Sequence, residues 1–306
     1  MNQQKSSIRS NFLLSIFTWV LLTGLPFSQS LSAQSVHSGY SFAVEKTGEG
    51  RPMILIAGLY CSGKVWQETV NHFKSHYACY QITLPGFAGQ PPIRPDSLIR
   101  SLAIELAGFI QQQKLYKPII VGHSLGGVIA MQIAVLYPGL PGDLIVVSSA
   151  PFLPALFMAP DVSLDSTRIT GQMIKKTLEN LTPAQVEQYQ KFSLPTMMRD
   201  TAKISLVSEM AVHSDPATQG EMMYELFSID LRPDMKKIIC PVLLLGDWSS
   251  YIKYGATRES TYNRYADQFS LAKNVTIKLN DSSRHFIMYD EPAWFYQQLD
   301  IFLQTK

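Results

Sequence analysis

The amino-acid sequence predicts an α/β fold, a mostly parallel sheet with helices packed on both of its faces. Residues 53–57 and 118–121 are continuous apolar runs, which are typical of strands buried on both sides. The predicted helix over residues 95–114 carries leucines four residues apart, beginning at Leu98. Strands that alternate with helices in this way form parallel sheets, because each crossover returns the chain to the edge where the strand began.

The N-terminal elements follow this rhythm in order. The first predicted strand, residues 40–45, alternates apolar and polar side chains, and a turn at residues 47–50 separates it from the buried strand. A small-residue loop at residues 58–63 then leads to a helix that begins near Val65. The next strand is predicted at residues 79–84. The carboxyl ends of such strands are where α/β folds bind their ligands.

Length and composition describe an ordinary globular protein. The chain has 306 residues, of which 46% are hydrophobic and 16% charged. These values exclude a disordered or fibrous chain and predict one large domain, or one domain with an insertion.

The first 33 residues match a secretory signal segment. Lys5 and Arg9 precede an apolar run over residues 12–25, Pro26 ends it, and small residues follow up to Ala33. The run is short for a membrane span, although an uncleaved anchor is the alternative. We therefore predict a protein that is secreted or periplasmic, with no other membrane association.

The mature chain is electrically neutral. Removing Lys5 and Arg9 leaves 24 basic and 24 acidic side chains. This balance offers no electrostatic attraction for nucleic acid or for an anionic membrane surface. We expect no nucleic-acid partner.

The three cysteines do not form a disulfide framework. Export permits disulfides, but three is an odd number. Cys61 follows a predicted strand, whereas Cys79 and Cys240 each precede one, so Cys61 lies at the opposite end of a parallel sheet. We expect free, buried cysteines and no metal site.

The stretch 122–126, Gly-His-Ser-Leu-Gly, has the Gly-x-Ser-x-Gly form and lies between an apolar strand and an apolar helix. Such a strand–turn–helix strains the serine backbone, and glycines are needed because a Cβ would collide with the neighbouring strand and helix. The turn raises the serine hydroxyl above the sheet beside the N-terminus of the helix. The pattern predicts that Ser124 is a nucleophile, against the alternative of a structural turn.

Four stretches in this order resemble the α/β-hydrolase superfamily: residues 57–63, 84–89, 122–127, and 230–233 before the strand at 241–246. The resemblance covers about residues 40–151 and 233–306. It implies the α/β-hydrolase fold, with residues 34–151 and 233–306 as the core and residues 152–232 as a helical cap inserted after the strand at 144–147. Residues 57–58, Ala-Gly, replace the usual His-Gly of the family.

The cap carries its own local signals. Thr182 and Asp215 are each followed by proline, the pattern of a capping side chain with proline at the first helical position. The cap also holds seven of the twelve methionines, which suit adaptable contacts with apolar substrates or, equally, plain packing.

The resemblance also implies the catalytic groups. His285 follows a predicted strand at residues 274–279 and precedes a terminal helix that opens at Glu291, which is where the family keeps its base. The backbone N–H groups of Leu59 and Leu125 would form the oxyanion hole. His123, beside the nucleophile, is predicted to pack in the interior.

The catalytic acid departs from the family pattern. The family usually carries an aspartate about three residues beyond the glycine that ends the seventh strand, and Ser249 stands there. Asp247 lies in the same turn, two residues earlier, and is the predicted acid. Asp281 is an alternative, and a dyad without an acid is another.

Together these features predict a serine hydrolase that acts on carboxylic esters or lactones of small, mainly uncharged substrates and uses neither a metal nor an organic cofactor. The alternatives are a non-catalytic binding protein on the same scaffold and a peptidase of the superfamily. The serine at the elbow argues against members that use aspartate there, such as haloalkane dehalogenases.

Overall fold

The computed structural model describes residues 34–35, 39–159 and 161–304, so the predicted signal segment and His37 lie outside the described residues. The strands of this part of the chain are β1 (Gln34–Ser35), β2 (Ala43–Thr47), β3 (Arg51–Ile56), β4 (Tyr77–Thr83), β5 (Ile119–His123), β6 (Asp143–Val147), β7 (Val242–Asp247) and β8 (Val275–Asn280). They form one sheet in the order β1-β2-β4-β3-β5-β6-β7-β8.

The sheet is mostly parallel, as predicted. β2 pairs antiparallel with both β1 and β4, and every pair from β4 through β3 to β8 is parallel. β5, β6 and β7 are therefore neighbours whose carboxyl ends meet at one edge of the sheet. This edge holds the residues described in the next subsection.

The described helices occur between the strands and at the C-terminal end. They are α1 (Gln67–Phe73), α2 (Leu98–Gln112), α3 (Leu125–Leu136), α4 (Leu164–Leu178), α5 (Pro183–Met197), α6 (Thr201–Val212), α7 (Pro216–Ser228), α8 (Arg258–Gln268), α9 (Ile287–Asp290) and α10 (Pro292–Gln304). Short 3₁₀ helices lie at Gly63–Trp66, Leu153–Leu156, Arg232–Lys237 and Ser249–Tyr254.

Both faces of the central strands are buried, which is why β3, β5, β6 and β7 have largely apolar sequences. On β3, Ile54 and Ile56 belong to the core beneath α2, α3 and α8. Met53 and Leu55 point into the core beneath α1, α9 and α10. The predicted double-sided α/β architecture is confirmed.

Some predicted boundaries were wrong because sheet pairing extends or shifts a strand. The first strand over residues 40–45 was predicted too early, since β2 is set by its antiparallel register with β4, from Ala43 opposite Thr83 to Thr47 opposite Cys79. Cys79 consequently lies within β4 and does not begin it. The helix predicted over residues 95–114 begins three residues later than predicted, at Leu98 of α2.

Four helices, α4 to α7, lie between β6 and β7 in the chain, and we call residues 164–228 the helical insertion. Thr182 accepts a hydrogen bond from the Gln185 N–H, and Asp215 accepts one from the Thr218 N–H. Both predicted helix starts are thus confirmed. The predicted division into residues 34–151, 152–232 and 233–306 stays a prediction.

Cys61, Cys79 and Cys240 are free and buried, as predicted. Among the described helices, none is both long enough and apolar enough to cross a bilayer.

Candidate active site

Ser124 occupies a strained turn between β5 and α3. Its backbone has φ 52° and ψ −117°, a conformation that costs a non-glycine residue free energy and persists only where its surroundings enforce it. The Ser124 N–H donates to the Val147 carbonyl on β6 at 2.9 Å, and the Ser124 carbonyl accepts from the Gly127 N–H at 2.9 Å. The neighbouring strand and the first turn of α3 thus hold the strained residue from both sides.

The glycines around Ser124 are required by close backbone approach. A Cβ on Gly122 would lie less than 3.0 Å from the Gly126 carbonyl, and one on Gly126 would lie equally close to the Ile56 and Ala57 carbonyls. The predicted collision with the neighbouring strand and helix is therefore confirmed.

His285 lies in the loop between β8 and α9, and its side chain lines the same cavity as Ser124. Hydrogen bonds on both sides of His285 help to hold this loop. The Arg284 N–H donates to Asp290 Oδ2 at 2.8 Å, and the Phe286 N–H donates to the Met197 carbonyl of α5 at 3.1 Å. Burial lowers the pKa of His285 below 6.5, and the negative charge of Asp247 acts in the opposite direction.

His123 contributes a contact that the sequence did not predict. Its ring is buried, as expected of a packing residue, and its Nε2 lies 3.0 Å from the His285 carbonyl oxygen. Because a carbonyl only accepts, Nε2 carries the proton in this contact. The ring also lies edge-on to Trp66, with 6.4 Å between the ring centroids. Burial and the neighbouring His285 lower the pKa of His123, which keeps its ring neutral.

Asp247 is the last residue of β7, and its side chain is fully buried. Ser148, just beyond β6, donates from its hydroxyl to Asp247 Oδ1 at 3.0 Å. Oδ2 of Asp247 has no hydrogen-bond partner among the described residues, and in this part of the chain no hydrogen bond joins Asp247 to His285. The structure therefore brings the carboxylate into electrostatic reach of His285 and leaves one oxygen unpaired.

The other acid candidate is engaged elsewhere. Asp281 Oδ1 accepts from Arg258 Nε at 2.6 Å and from Trp248 Nε1 at 3.2 Å, and the aspartate side chain is exposed. Ser249, at the family's usual acid position, donates to the Ser283 carbonyl. Ser148 is the residue that sequence reasoning missed. The signal that could have found it is that Ser148 follows β6 and Asp247 ends β7, two neighbouring strands whose ends meet at one edge of the sheet.

The two predicted oxyanion donors come from the first residue of α3 and from the loop after β3. Leu125 is the first residue of α3, so its N–H belongs to the open end of the helix. Leu59 lies in the loop after β3 and lines the cavity. Neither N–H donates to a backbone carbonyl in the described part of the chain. Both groups are thus available to an anionic oxygen.

A cavity of about 370 Å³ lies between the sheet edge and the helical insertion. Ser124 and His285 line its base, and most of its remaining wall is apolar, including Ile174, Leu194 and Phe227. Small-molecule sites commonly have this character, an apolar chamber with a few convergent polar groups. Among the described residues, no group of three or more His, Cys, Asp or Glu side chains is arranged to hold a metal ion.

Known proteins of one family resemble this chain in sequence. A model of the alpha/beta hydrolase family matches residues 53–298. A pimeloyl-[acyl-carrier protein] methyl ester esterase from Vibrio cholerae is 26% identical over 262 residues, covering 83% of this chain and 94% of that protein. A protein of the same name from Aeromonas salmonicida is 35% identical over 123 residues, which span 40% of this chain and 45% of that protein.

Solved structures share the fold at low sequence identity. MenH from S. aureus superposes with a TM-score of 0.71 at 17% identity, covering 88% of this chain and 99% of that one. An esterase from Exiguobacterium antarcticum gives a TM-score of 0.71 at 16% identity, covering 89% and 98% of the two chains.

Proposed function

The chain belongs to the alpha/beta hydrolase family, and on that premise we propose that it is a serine hydrolase that cleaves carboxylic esters or lactones of small, mainly uncharged molecules. The observation that carries the proposal is Ser124, held in a strained turn at the base of an apolar cavity that it shares with His285. An ester hydrolase is further supported by the relatives named as methyl ester esterases.

The proposed reaction proceeds through an acyl-enzyme. Ser124 Oγ attacks the substrate carbonyl carbon while the His285 ring takes the hydroxyl proton. The carbonyl electron pair moves onto the oxygen, and the N–H groups of Leu59 and Leu125 stabilise that oxyanion. When the tetrahedral intermediate collapses, the leaving alkoxide takes the proton from His285. Water then repeats both steps and releases the acid.

Asp247 serves this reaction by its charge. His285 becomes an imidazolium in each transition state, and a buried carboxylate nearby stabilises that cation. The Ser148 hydroxyl occupies Oδ1, so Oδ2 is the oxygen left for the ring. A hydrogen bond from His285 to Oδ2 would complete the triad, and such catalytic bonds often tighten only when substrate binds.

The shape and chemistry of the cavity support the substrate class. Its apolar wall favours acyl chains, and about 370 Å³ lies near the lower end of the volumes of small-molecule pockets. Export to the periplasm or medium remains a prediction from the first 33 residues.

A fluorophosphonate probe tests the nucleophile directly, because it labels only activated serines. We expect one covalent label on the wild-type protein and none on Ser124→Ala. Hydrolysis of short and medium p-nitrophenyl esters should fall by roughly 10⁴-fold in Ser124→Ala and in His285→Ala, and the double variant should be little worse, since triad members act as a unit.

Each contrary result has a specific meaning. Ester hydrolysis at wild-type rate by Ser124→Ala would reject the nucleophile. A wild-type protein that binds ligands without labelling or turnover would instead be a binding protein on this scaffold. Peptide cleavage far faster than ester cleavage would identify a peptidase.

A further inference from the structure

Helix α5 contains a buried glutamine where an apolar residue is expected. The buried residues of α5 are Val186, Gln190 and Leu194, each four positions from the next, so they form one stripe along the helix. Gln190 is 2% exposed. Glutamine is usually exposed, and burial of its amide is unfavourable unless hydrogen bonds replace those with water.

The NH₂ group of the Gln190 amide lacks such a replacement. Its Nε2 has no hydrogen-bond partner among the described residues. Buried polar groups in folded proteins nearly always have one, so an exception calls for an explanation. The location supplies one, because Gln190 lines the cavity that contains Ser124 and His285.

The cavity wall is chemically divided. Within the helical insertion, α4 contributes Ile174 and Leu178 to the lining, and α6 and α7 contribute further apolar side chains. The polar lining residues of the insertion all come from α5: Tyr189, Gln190, Ser193 and Thr196. Within the helical insertion, a bound molecule therefore meets hydrogen-bonding groups along α5 and hydrocarbon on α4, α6 and α7.

We propose that Gln190 is a specificity-determining residue that donates from Nε2 to a neutral oxygen of the substrate, separate from the ester or lactone group that is cleaved. The inference rests on the proposed function and narrows its substrates to acyl compounds with a second oxygen in the chain, such as a keto, hydroxyl or amide carbonyl group. We expect the acceptor to be neutral because an amide dipole cannot compensate a buried charge. Lys253, the cationic residue of the lining, is exposed and so does not supply a buried positive charge for an anionic substrate group.

The test is a set of esters of one chain length in which a keto oxygen is moved along the acyl chain, each compared with the unsubstituted ester. We expect wild-type kcat/KM to favour one keto position by about 10-fold, the size of one well-made hydrogen bond. Gln190→Met, which keeps the length of the side chain and removes its donor, should lose that ratio. Gln188→Met, on the exposed side of α5, should retain it.

A stability measurement separates recognition from packing. Removing an unpaired buried amide should raise the melting temperature of the ligand-free protein by roughly 2 °C in Gln190→Met. A fall of several degrees would mean that Gln190 has a structural role, which would overturn the inference. The inference also fails if no keto position is favoured in the wild type, or if Gln190→Met retains the ratio.

Binding distinguishes this failure from failure of the proposed function. Calorimetry of the keto and unsubstituted esters with Ser124→Ala measures recognition without turnover. A keto preference there that disappears on adding Gln190→Met supports the inference even if the wild-type protein hydrolyses nothing. Equal binding of both esters alongside normal wild-type hydrolysis rejects the inference and leaves the proposed function intact.

Discussion

At the scale of single residues, the chemistry of the site depends on two opposed effects on His285. Burial removes water from the ring and lowers its pKa, while the Asp247 carboxylate raises the pKa by favouring the charged ring. Burial is the larger effect. His285 therefore stays neutral at a pH that is low enough to protonate an exposed histidine. A neutral ring is the form that can accept the proton of Ser124.

The pH profile of kcat/KM should report this balance. Since His285 must be unprotonated to act as a base, activity on a neutral ester should fall with decreasing pH only below 6.5, the usual histidine pKa. Asp247→Asn removes the charge that raises the pKa. The acidic limb should therefore move to still lower pH while kcat falls by roughly 10²- to 10⁴-fold.

The necessary measurement is kcat/KM for one ester from about pH 4 to pH 8 for both proteins. Asp281→Asn is the control, because Asp281 is exposed and paired with Arg258, and its profile should match the wild type. A wild-type limb above 6.5 would mean that the Asp247 charge outweighs burial. A limb that moves with Asp281 and not with Asp247 would contradict the assignment of Asp247.

At the scale of secondary-structure elements, the helical insertion is joined to helix α2 by a buried carboxylate. Glu225 of α7 accepts from the Leu98 N–H at 2.5 Å, the Ile99 N–H at 2.9 Å and the Ser97 hydroxyl at 3.2 Å. These N–H groups open α2, where the Ser97 side chain makes no capping bond. A residue from α7 thus caps α2, and a negative charge there favours the helix dipole.

Removing the Glu225 carboxylate should lower the stability of the protein. Glu225→Ala leaves two buried N–H groups of α2 unpaired, and we expect the free energy of unfolding to fall by about 3 kcal/mol. Glu221→Ala on the same helix removes a partly exposed ion pair with Lys175 and should cost no more than about 1 kcal/mol. Urea unfolding of the three proteins measures both values. Equal losses would show that the Glu225 cap contributes nothing beyond a surface charge.

At the scale of the whole molecule, the two cores on either side of the sheet enclose all three thiols. Burial raises the pKa to about 12 for Cys61 and Cys79 and to about 11 for Cys240. The thiolate is the reactive form, so each cysteine is protected both by lack of access and by its low thiolate fraction.

Reaction with a maleimide should therefore report unfolding. At neutral pH the native protein should label far more slowly than the denatured protein, which should take up three equivalents. Cys240 should label first, because it is 7% exposed while Cys61 and Cys79 are fully buried. Cys240→Ser should then lack the fastest phase. Rapid labelling of Cys61 in the native protein would show that the core around the loop after β3 opens.

Features that depend on nearby residues were predictable from the sequence. The buried strands were visible because burial on both faces requires continuous apolar residues, and the helix starts at Thr182 and Asp215 were visible because capping acts over three positions. The strained turn at Ser124 was predictable because the Gly-x-Ser-x-Gly pattern between an apolar strand and an apolar helix is read within a few neighbouring residues. The α/β fold followed from these signals.

The tertiary structure decided the partners of the polar groups. Ser148 reaches Asp247, His123 reaches the His285 carbonyl, and Glu225 caps α2 across separations of 99 to 162 residues. No local pattern encodes such pairs, because they arise from the order in which strands join the sheet and from how the helical insertion packs on it. The same holds for Gln190. Helical spacing places it on the buried stripe of α5, but only the packed chain shows a cavity there and an amide nitrogen without a hydrogen-bond partner among the described residues.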